Sequence, residues 1–162
     1  MHRSSGDLKA AAPLFGYAVA EADAAGLDAL AIDAMHMVAL TLTGPAQISY
    51  TKTILERAKA SDDPAAQGWT ASVLNNLGMA YSDVGDWQQA LDVFEEALAE
   101  RRKGTDAGAI FAARWMVGWA LRNLGRRDEA LAAQLALKAD LDAVGQSDHF
   151  VEEELALLTA AT

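Results

Sequence analysis

Residues 71–104 read ASVLNNLGMAYSDVGDWQQALDVFEEALAERRKG, and this stretch decides the fold. Apolar and small residues recur at spacings of three and four on both sides of Gly85, which is the pattern of two amphipathic helices. These residues are Leu74, Leu77, Gly78 and Tyr81 before the glycine, and Ala90, Leu91, Phe94, Ala97 and Leu98 after it. Gly85 can take the left-handed conformation that ends a helix, and Asp86 can cap the next one, with Gln89 completing a capping box. The stretch therefore predicts a helical hairpin.

Glycines and prolines divide the rest of the chain into further helices. The predicted hairpins lie at about 27–60, 65–103 and 107–144, and single helices flank them at 8–25 and 148–160. Their predicted caps are Asp63 before Pro64, Thr105 or Asp106, and Ser147 or Asp148. Pro13 weakens the first helix, which could instead begin near Ala12. The second helix, 27–43, is apolar almost all round, so we expect it to be buried on more than one side.

Three of the break glycines are evenly spaced. Gly44, Gly85 and Gly125 separate the two helices of successive hairpins at intervals of 41 and 40 residues, which indicates an internal repeat. The pattern Leu-x-x-Leu-Gly-x-x-Tyr followed by Ala-x-x-x-Phe-x-x-Ala resembles the tetratricopeptide repeat. The resemblance is closest over 71–104, less close over 111–144 and loose over 27–60; Leu74 stands where the family often has Trp, and the usual closing Pro is absent.

This resemblance implies an all-α fold, an α-α superhelix in which about eight antiparallel helices form a right-handed solenoid. Residues 8–162 are expected to form a single repeat domain. Residues 1–7 lack the apolar run of a signal peptide and are expected to be a flexible start or a remnant of cloning.

Composition limits the possible functions. The chain has 162 residues, no cysteine and a formal net charge of −10. The lack of cysteine excludes disulfides and thiolate chemistry, and no apolar run is long enough to predict a membrane span. The acidic charge argues against nucleic acid as a partner, because phosphate binding needs a basic surface. It is compatible with a basic protein partner, but an acidic surface that only aids solubility is the simpler interpretation. A cytoplasmic location is the default expectation.

Histidines offer the few candidates for catalysis or metal binding. Asp33 and His36 are one helical turn apart and could form either a catalytic dyad or an ordinary polar contact. His149 precedes Glu152 and Glu153, which suit a metal site but also suit the start of any helix. The sequence shows no phosphate-binding glycine loop, no nucleophile elbow and no H-E-x-x-H motif. We therefore predict no enzyme activity, cofactor or metal, and keep an enzyme that uses Asp33 and His36 as a remote alternative.

The resemblance implies a binding role, because the first helix of each hairpin in this family lines a concave face that binds a peptide or protein. We predict as contacts the residues that fall, in the first helices of two hairpins, at the positions facing the concave surface in this family. These are Asn75, Asn76, Met79, Asp83, Trp115, Trp119 and Arg122. Trp115, Trp119 and Arg122 share one helical face, and Trp and Arg dominate binding hot spots. The alternative is that the two tryptophans only fill the core; Trp69 and Trp87 are expected to be structural.

Recognition of a carboxylate terminus and self-association are two further candidate functions. Asn76 stands where carboxylate-clamp members of the family have an Asn, but Ala112 and Met116 replace the basic clamp residues, so that specificity is not predicted. A different class of function is self-association, in which the terminal helices expose apolar faces and form a homodimer.

Two charged residues occupy positions where the repeat expects an apolar one. Asp33 and Arg114 both correspond to Leu74, and a buried charge is expensive unless it is paired. Either the helices are rotated, or these side chains reach partners on neighbouring helices. If Arg114 is paired and buried, Arg114→Ala should cost about 3–5 kcal/mol.

Overall fold

A computed structural model describes residues 8–160, and side chains from residue 11 onward. Within this range the chain contains no strand; it forms eight longer helices and one helix of a single turn. They are α1 (Leu8–Ala24), α2 (Asp28–Ala39), α3 (Gly44–Ala60), α4 (Pro64–Gln67), α5 (Thr70–Asp83), α6 (Trp87–Arg101), α7 (Ala107–Asn123), α8 (Arg127–Ala143) and α9 (His149–Thr159). The predicted all-α class is confirmed. The prediction for residues 1–7 concerns residues outside the described range.

Glycines with positive φ end the helices where the repeat pattern places the breaks. Gly85 has a φ of 79° and Gly125 a φ of 76°, a conformation that other residues rarely adopt. The residue after each glycine donates its N–H back into the helix: Asp86 to the carbonyl of Tyr81, and Arg126 to that of Leu121, both at 3.0 Å. These bonds satisfy carbonyl groups that the helix end would otherwise leave unpaired.

Aspartates cap four of the helices. At Asp86 only one of the two hydrogen bonds of the predicted capping box forms. Its carboxylate accepts from the N–H of Gln89 at 3.2 Å, as predicted. The side-chain amide of Gln89 points to Asp92 instead, because the N–H of Asp86 is already bound to Tyr81. The capping aspartates are Asp63, Asp86, Asp106 and Asp148.

Two predicted helix boundaries are wrong. The first helix of the hairpin predicted at 65–103 is interrupted at Gly68, where α4 ends and the chain turns before α5 begins. α2 stops at Ala39 rather than at Thr43, which serves as the N-cap of α3. The first helix begins at Leu8, within the predicted range 8–25, with Pro13 inside it, so the alternative start near Ala12 is wrong.

The chain divides into two compact units, with the boundary between Ala80 and Tyr81 inside α5. We call them the N-terminal unit and the C-terminal unit. The core of the N-terminal unit comprises Ile32, Met35, Ala39, Ile54, Ala58, Ala66 and Val73, with Trp69 packed against it. In the C-terminal unit, Leu137 and Leu141 of α8 pack against Val151 and Leu155 of α9. The prediction of a single domain over residues 8–162 stays a prediction.

Asp33 and Arg114, which both correspond to Leu74 in the repeat, differ in how they avoid an unpaired buried charge. Leu74 is fully buried, whereas Asp33 is exposed, because α2 is rotated so that it buries Ile32 instead. Arg114 is half-buried and reaches a neighbouring helix, where its Nη1 donates to the Oδ2 of Asp140 at 2.6 Å.

We expect Arg114→Ala to lower the free energy of unfolding by less than about 1 kcal/mol. The cost falls below the 3–5 kcal/mol expected for a buried pair, because the side chain of Asp140 is 59% exposed and water can solvate it once the arginine is gone. Urea denaturation of the parent and of Arg114→Ala measures the difference, and Asp140→Ala should show an equally small one. A loss of about 3 kcal/mol or more in Arg114→Ala alone would contradict this assignment.

Candidate functional site

Four aromatic side chains of the C-terminal unit form one cluster, which we call the aromatic cluster. Trp115 and Trp119, one turn apart on α7, stack with ring centroids 5.6 Å apart and planes 10° from parallel. Trp87 at the start of α6 meets Trp119 edge-on, with centroids 4.9 Å apart. Phe150 at the start of α9 lies against Trp115, with centroids 5.6 Å apart. Aromatic side chains from three helices, α6, α7 and α9, thus meet in one place.

An open pocket borders the aromatic cluster between α7 and the start of α9. Its volume is about 370 Å³, and it is lined by Ala112, Trp115, Met116, Asp148 and Phe150. We call it the aromatic pocket. Asp148 accepts hydrogen bonds from the N–H groups of Phe150, at 2.8 Å, and Val151, at 3.3 Å. The helix cap therefore holds the residue that forms one wall of the pocket.

Trp115 is both a packing residue and a pocket residue. It is half-buried and packs against the core formed by α8 and α9, yet it also lines the aromatic pocket. Its indole Nε1–H is buried and has no hydrogen-bond partner among the described residues. A buried donor of this kind is uncommon in native structures and carries a free-energy cost. The two sequence-based alternatives for this tryptophan, core and surface, are therefore not exclusive.

Arg122, which shares a helical face with the tryptophans, is engaged in an ion pair. Its Nε and Nη2 donate to the two carboxylate oxygens of Glu154 on α9, at 2.7 and 2.8 Å. The Glu154 side chain is only 5% exposed and that of Arg122 is 26% exposed. Hydrogen bonding to Glu154 raises the pKa of Arg122 above its ordinary value. The guanidinium thus ties α7 to α9, and its predicted contact with a partner stays a prediction.

Three other predicted contacts, Asn75, Asn76 and Met79, are half-buried and belong to the N-terminal unit. The Nδ2 of Asn76 lies 3.1 Å from the Nδ1 of His36, whose ring is 5.9 Å from that of Trp69. Since the amide nitrogen is a donor, His36 accepts at Nδ1 and carries its proton at Nε2. Asn76 is therefore held by a histidine of α2.

Asp83, the remaining predicted contact, is exposed at the end of α5 and belongs to the C-terminal unit with the tryptophans. The predicted set is thus divided between the two units. The aromatic cluster brings together only Trp115 and Trp119 from it.

Two of the candidate catalytic and metal-binding groups, His36 and Glu152, contact other side chains. Burial lowers the pKa of His36, and the nearby charge of Asp33 opposes this only in part. The carboxylate of Glu152 pairs with Lys138 at 2.9 Å. Across residues 8–160, no three acidic or histidine side chains are grouped so that they could hold a metal ion.

We expect the parent protein to lose stability as the pH falls below about 6.5, because of His36. The unfolded chain binds a proton at its ordinary pKa, whereas the buried ring in the folded chain resists protonation until a lower pH. The loss therefore starts near the unfolded pKa and is complete below the folded one.

His36→Gln, which keeps a hydrogen-bonding group toward Asn76, should reduce this pH dependence. Urea denaturation midpoints of the parent and of His36→Gln, at about pH 7.5 and about pH 5.5, measure this pH dependence. Equal shifts in parent and variant would show that other groups set the pH dependence.

The sequence interpretation missed Phe150 and Asp148 as pocket residues. A signal was present for Phe150: Val151, Leu155 and Leu158 form the buried stripe of α9 at spacings of four and three. Phe150 falls outside this stripe and is 59% exposed. A large aromatic residue off the buried stripe is a surface candidate.

Part of the chain matches one known protein family. The model of the family described as tetratricopeptide repeat matches residues 66–135. The matched region extends from the last residues of α4 through α5, α6 and α7 into α8, and so includes both tryptophans of α7. No curated protein sequence matches the chain significantly. None of the helices described between residues 8 and 160 combines the length and apolarity needed to cross a membrane.

Proposed function

Because residues 66–135 are tetratricopeptide repeats, which generally mediate protein–protein interaction, we propose that this chain binds a segment of a partner protein at the aromatic pocket. The observation that carries this proposal is the position of Phe150 and Trp115, two aromatic walls around an open pocket. Large, rigid aromatic side chains supply much of the affinity of protein interfaces at a small entropic cost. An apolar side chain of the partner would pack in the pocket against both rings, which contact each other with centroids 5.6 Å apart.

The side chain of Met116, which also lines the pocket, supports the same proposal, because it is flexible and adapts to differently shaped partners. Asn75, Asn76, Met79 and Asp83 remain predicted contacts, as does Trp119, which supports Trp115 by stacking.

The test places an arginine in the pocket without disturbing the core. Ala112 is exposed on α7 and lines the pocket, so Ala112→Arg fills it while keeping a good helix former. Ala132 is exposed on α8 and does not line the pocket, so Ala132→Arg is the matched control. Partners are captured from a lysate of the source organism, and the affinity of the main partner is then measured for each purified variant.

We expect Ala112→Arg to weaken the partner's binding by about tenfold or more, and Ala132→Arg to leave it unchanged. Equal affinity of all three proteins would place the binding surface elsewhere. Circular dichroism establishes beforehand that the variants are folded.

Self-association through the terminal helices is the second candidate. Exposed apolar residues favour it, namely Leu14 on α1 and Leu157 on α9. Light scattering across a concentration series distinguishes the candidates, because a mass that stays monomeric at every concentration eliminates self-association.

A further inference from the structure

α2 is apolar on two opposite faces, and only one of them is fully covered by the described part of the chain. Ile32, Met35 and Ala39 point into the core of the N-terminal unit and are buried. At about 100° per residue, Leu30 and Met37 lie on the opposite face. Leu30 is 58% exposed there. The sequence predicted burial on more than one side, and the described part of the chain covers this second face only in part.

This second face of α2 forms a groove with α1, which we call the α1–α2 groove. Its volume is about 560 Å³. Phe15 and Tyr17 of α1 line one side, and Leu30 and Met37 of α2 line the other, with Leu27 at the turn between them. Three of these residues, Tyr17, Leu27 and Leu30, are exposed large hydrophobics. Exposed apolar side chains that lie next to one another commonly mark an interaction surface.

Among the side chains that the structure describes, from residue 11 onward, the charged residues lining the groove are all acidic. They are Glu21 and Asp33, and neither carboxylate has an ion pair with a described side chain. Nearby Asp23 and Asp28 differ, because both are bound by Arg57 at 2.7 Å. The groove therefore combines an apolar surface with two uncompensated negative charges.

We propose that the α1–α2 groove binds an amphipathic helix of a partner protein whose polar flanks carry Lys or Arg. A groove between two packed helices accepts the apolar ridge of a third, with anchors at i, i+3 or i+4 and i+7. Cations beside that ridge would pair with Glu21 and Asp33, which selects a basic helix over an acidic one. A second copy of this chain, docked through the same groove, would place an acidic surface against an acidic surface. This surface is independent of the aromatic pocket.

Two fluorescently labelled peptides test the proposal directly. One is the basic amphipathic helix LKKLLKLLKKLLKL, and the other is its acidic counterpart LEELLELLEELLEL; binding is followed by fluorescence anisotropy. The groove variant is Leu30→Gln, which removes an exposed apolar anchor without changing the charge. The matched control is Leu135→Gln, since Leu135 of α8 is also a leucine about half exposed on a helix.

We expect the parent to bind the basic peptide about tenfold or more tightly than the acidic one, and Leu30→Gln to weaken that binding by about fivefold or more. Leu135→Gln should bind like the parent, and Glu21→Gln/Asp33→Asn should bind the basic peptide more weakly and with a smaller salt dependence.

Three results would overturn the proposal. Equal binding by Leu30→Gln and Leu135→Gln would mean that the peptide is held by the net charge of the protein rather than by the groove. Equal affinity of the parent for both peptides would remove the preference for a basic helix. A dimer of the parent that Leu30→Gln converts to a monomer, seen by light scattering, would make a second copy the occupant.

Discussion

Arg122→Ala is expected to lower the free energy of unfolding by about 3 kcal/mol. The substitution leaves the carboxylate of Glu154, which is only 5% exposed, without its two hydrogen bonds and its counter-charge. Breaking a buried pair in this way costs about 3–5 kcal/mol, and the lower end applies because Arg122 itself keeps some contact with water. The urea denaturation curve of the whole protein, followed by tryptophan fluorescence, measures the loss.

Two further variants show whether the cost comes from the orphaned charge. Arg126 makes the same two-point contact with Glu129, but both side chains are exposed, so Arg126→Ala should leave the urea midpoint unchanged. Arg122→Met/Glu154→Leu removes both charges and should recover much of the stability lost in Arg122→Ala, because apolar residues often replace a buried pair without loss. If Arg122→Ala lowers the free energy of unfolding no more than Arg126→Ala does, the buried Glu154 carboxylate does not need the ion pair with Arg122.

Gly118→Ala is expected to lower the free energy of unfolding by about 2 kcal/mol, although alanine is the better helix former by about 1 kcal/mol. A Cβ atom at this position would lie 2.5 Å from the Nε2 of Gln134 and 2.9 Å from its Cδ. Gln134 is fully buried, so its side chain cannot swing into solvent. Its displacement breaks the hydrogen bond from Nε2 to the carbonyl of Trp115, at 3.2 Å. Overpacking and an orphaned amide each cost about 1–3 kcal/mol.

A double-mutant cycle separates this clash from other effects of the substitution. In a Gln134→Ala background the space is free, so the added Gly118→Ala should be nearly neutral or stabilising. Gly16→Ala is a second control, because nothing lies within 4 Å of its Cβ position in α1, and it should stabilise the protein by up to about 1 kcal/mol. Additive effects of Gly118→Ala and Gln134→Ala would contradict the close approach of α7 and α8 at this point.

The helical hairpins were predictable because their signals are local. The spacing of apolar residues and the glycine at each break are properties of a few neighbouring positions, and Gly85 and Gly125 end their helices as expected. The register of α2 was not predictable from the repeat, because a helix that is apolar on opposite faces does not indicate which face enters the core. Asp33 consequently lies in solvent where the repeat alignment expects an apolar residue.

The candidate site was predictable only in part, for a related reason. Trp115 and Trp119 share a face of one helix, so their proximity follows from spacing alone. Phe150 and Trp87 reach them from other helices, and such contacts depend on tertiary packing that periodicity does not contain. The buried Gln134 is a further case, since glutamine is usually exposed and only the missing side chain of Gly118 makes room for it.

Site-specific photo-crosslinking tests whether a partner segment occupies the aromatic pocket. A photoreactive benzoyl-phenylalanine replaces Phe150, which is exposed at the pocket wall, or Leu135, which is about equally exposed on α8. After irradiation with the captured partner, mass spectrometry identifies the cross-linked peptides. We expect position 150 to cross-link one defined segment of the partner and position 135 to give no cross-link. Cross-linking at position 135 alone, or equally at both positions, would show that the partner does not occupy the pocket.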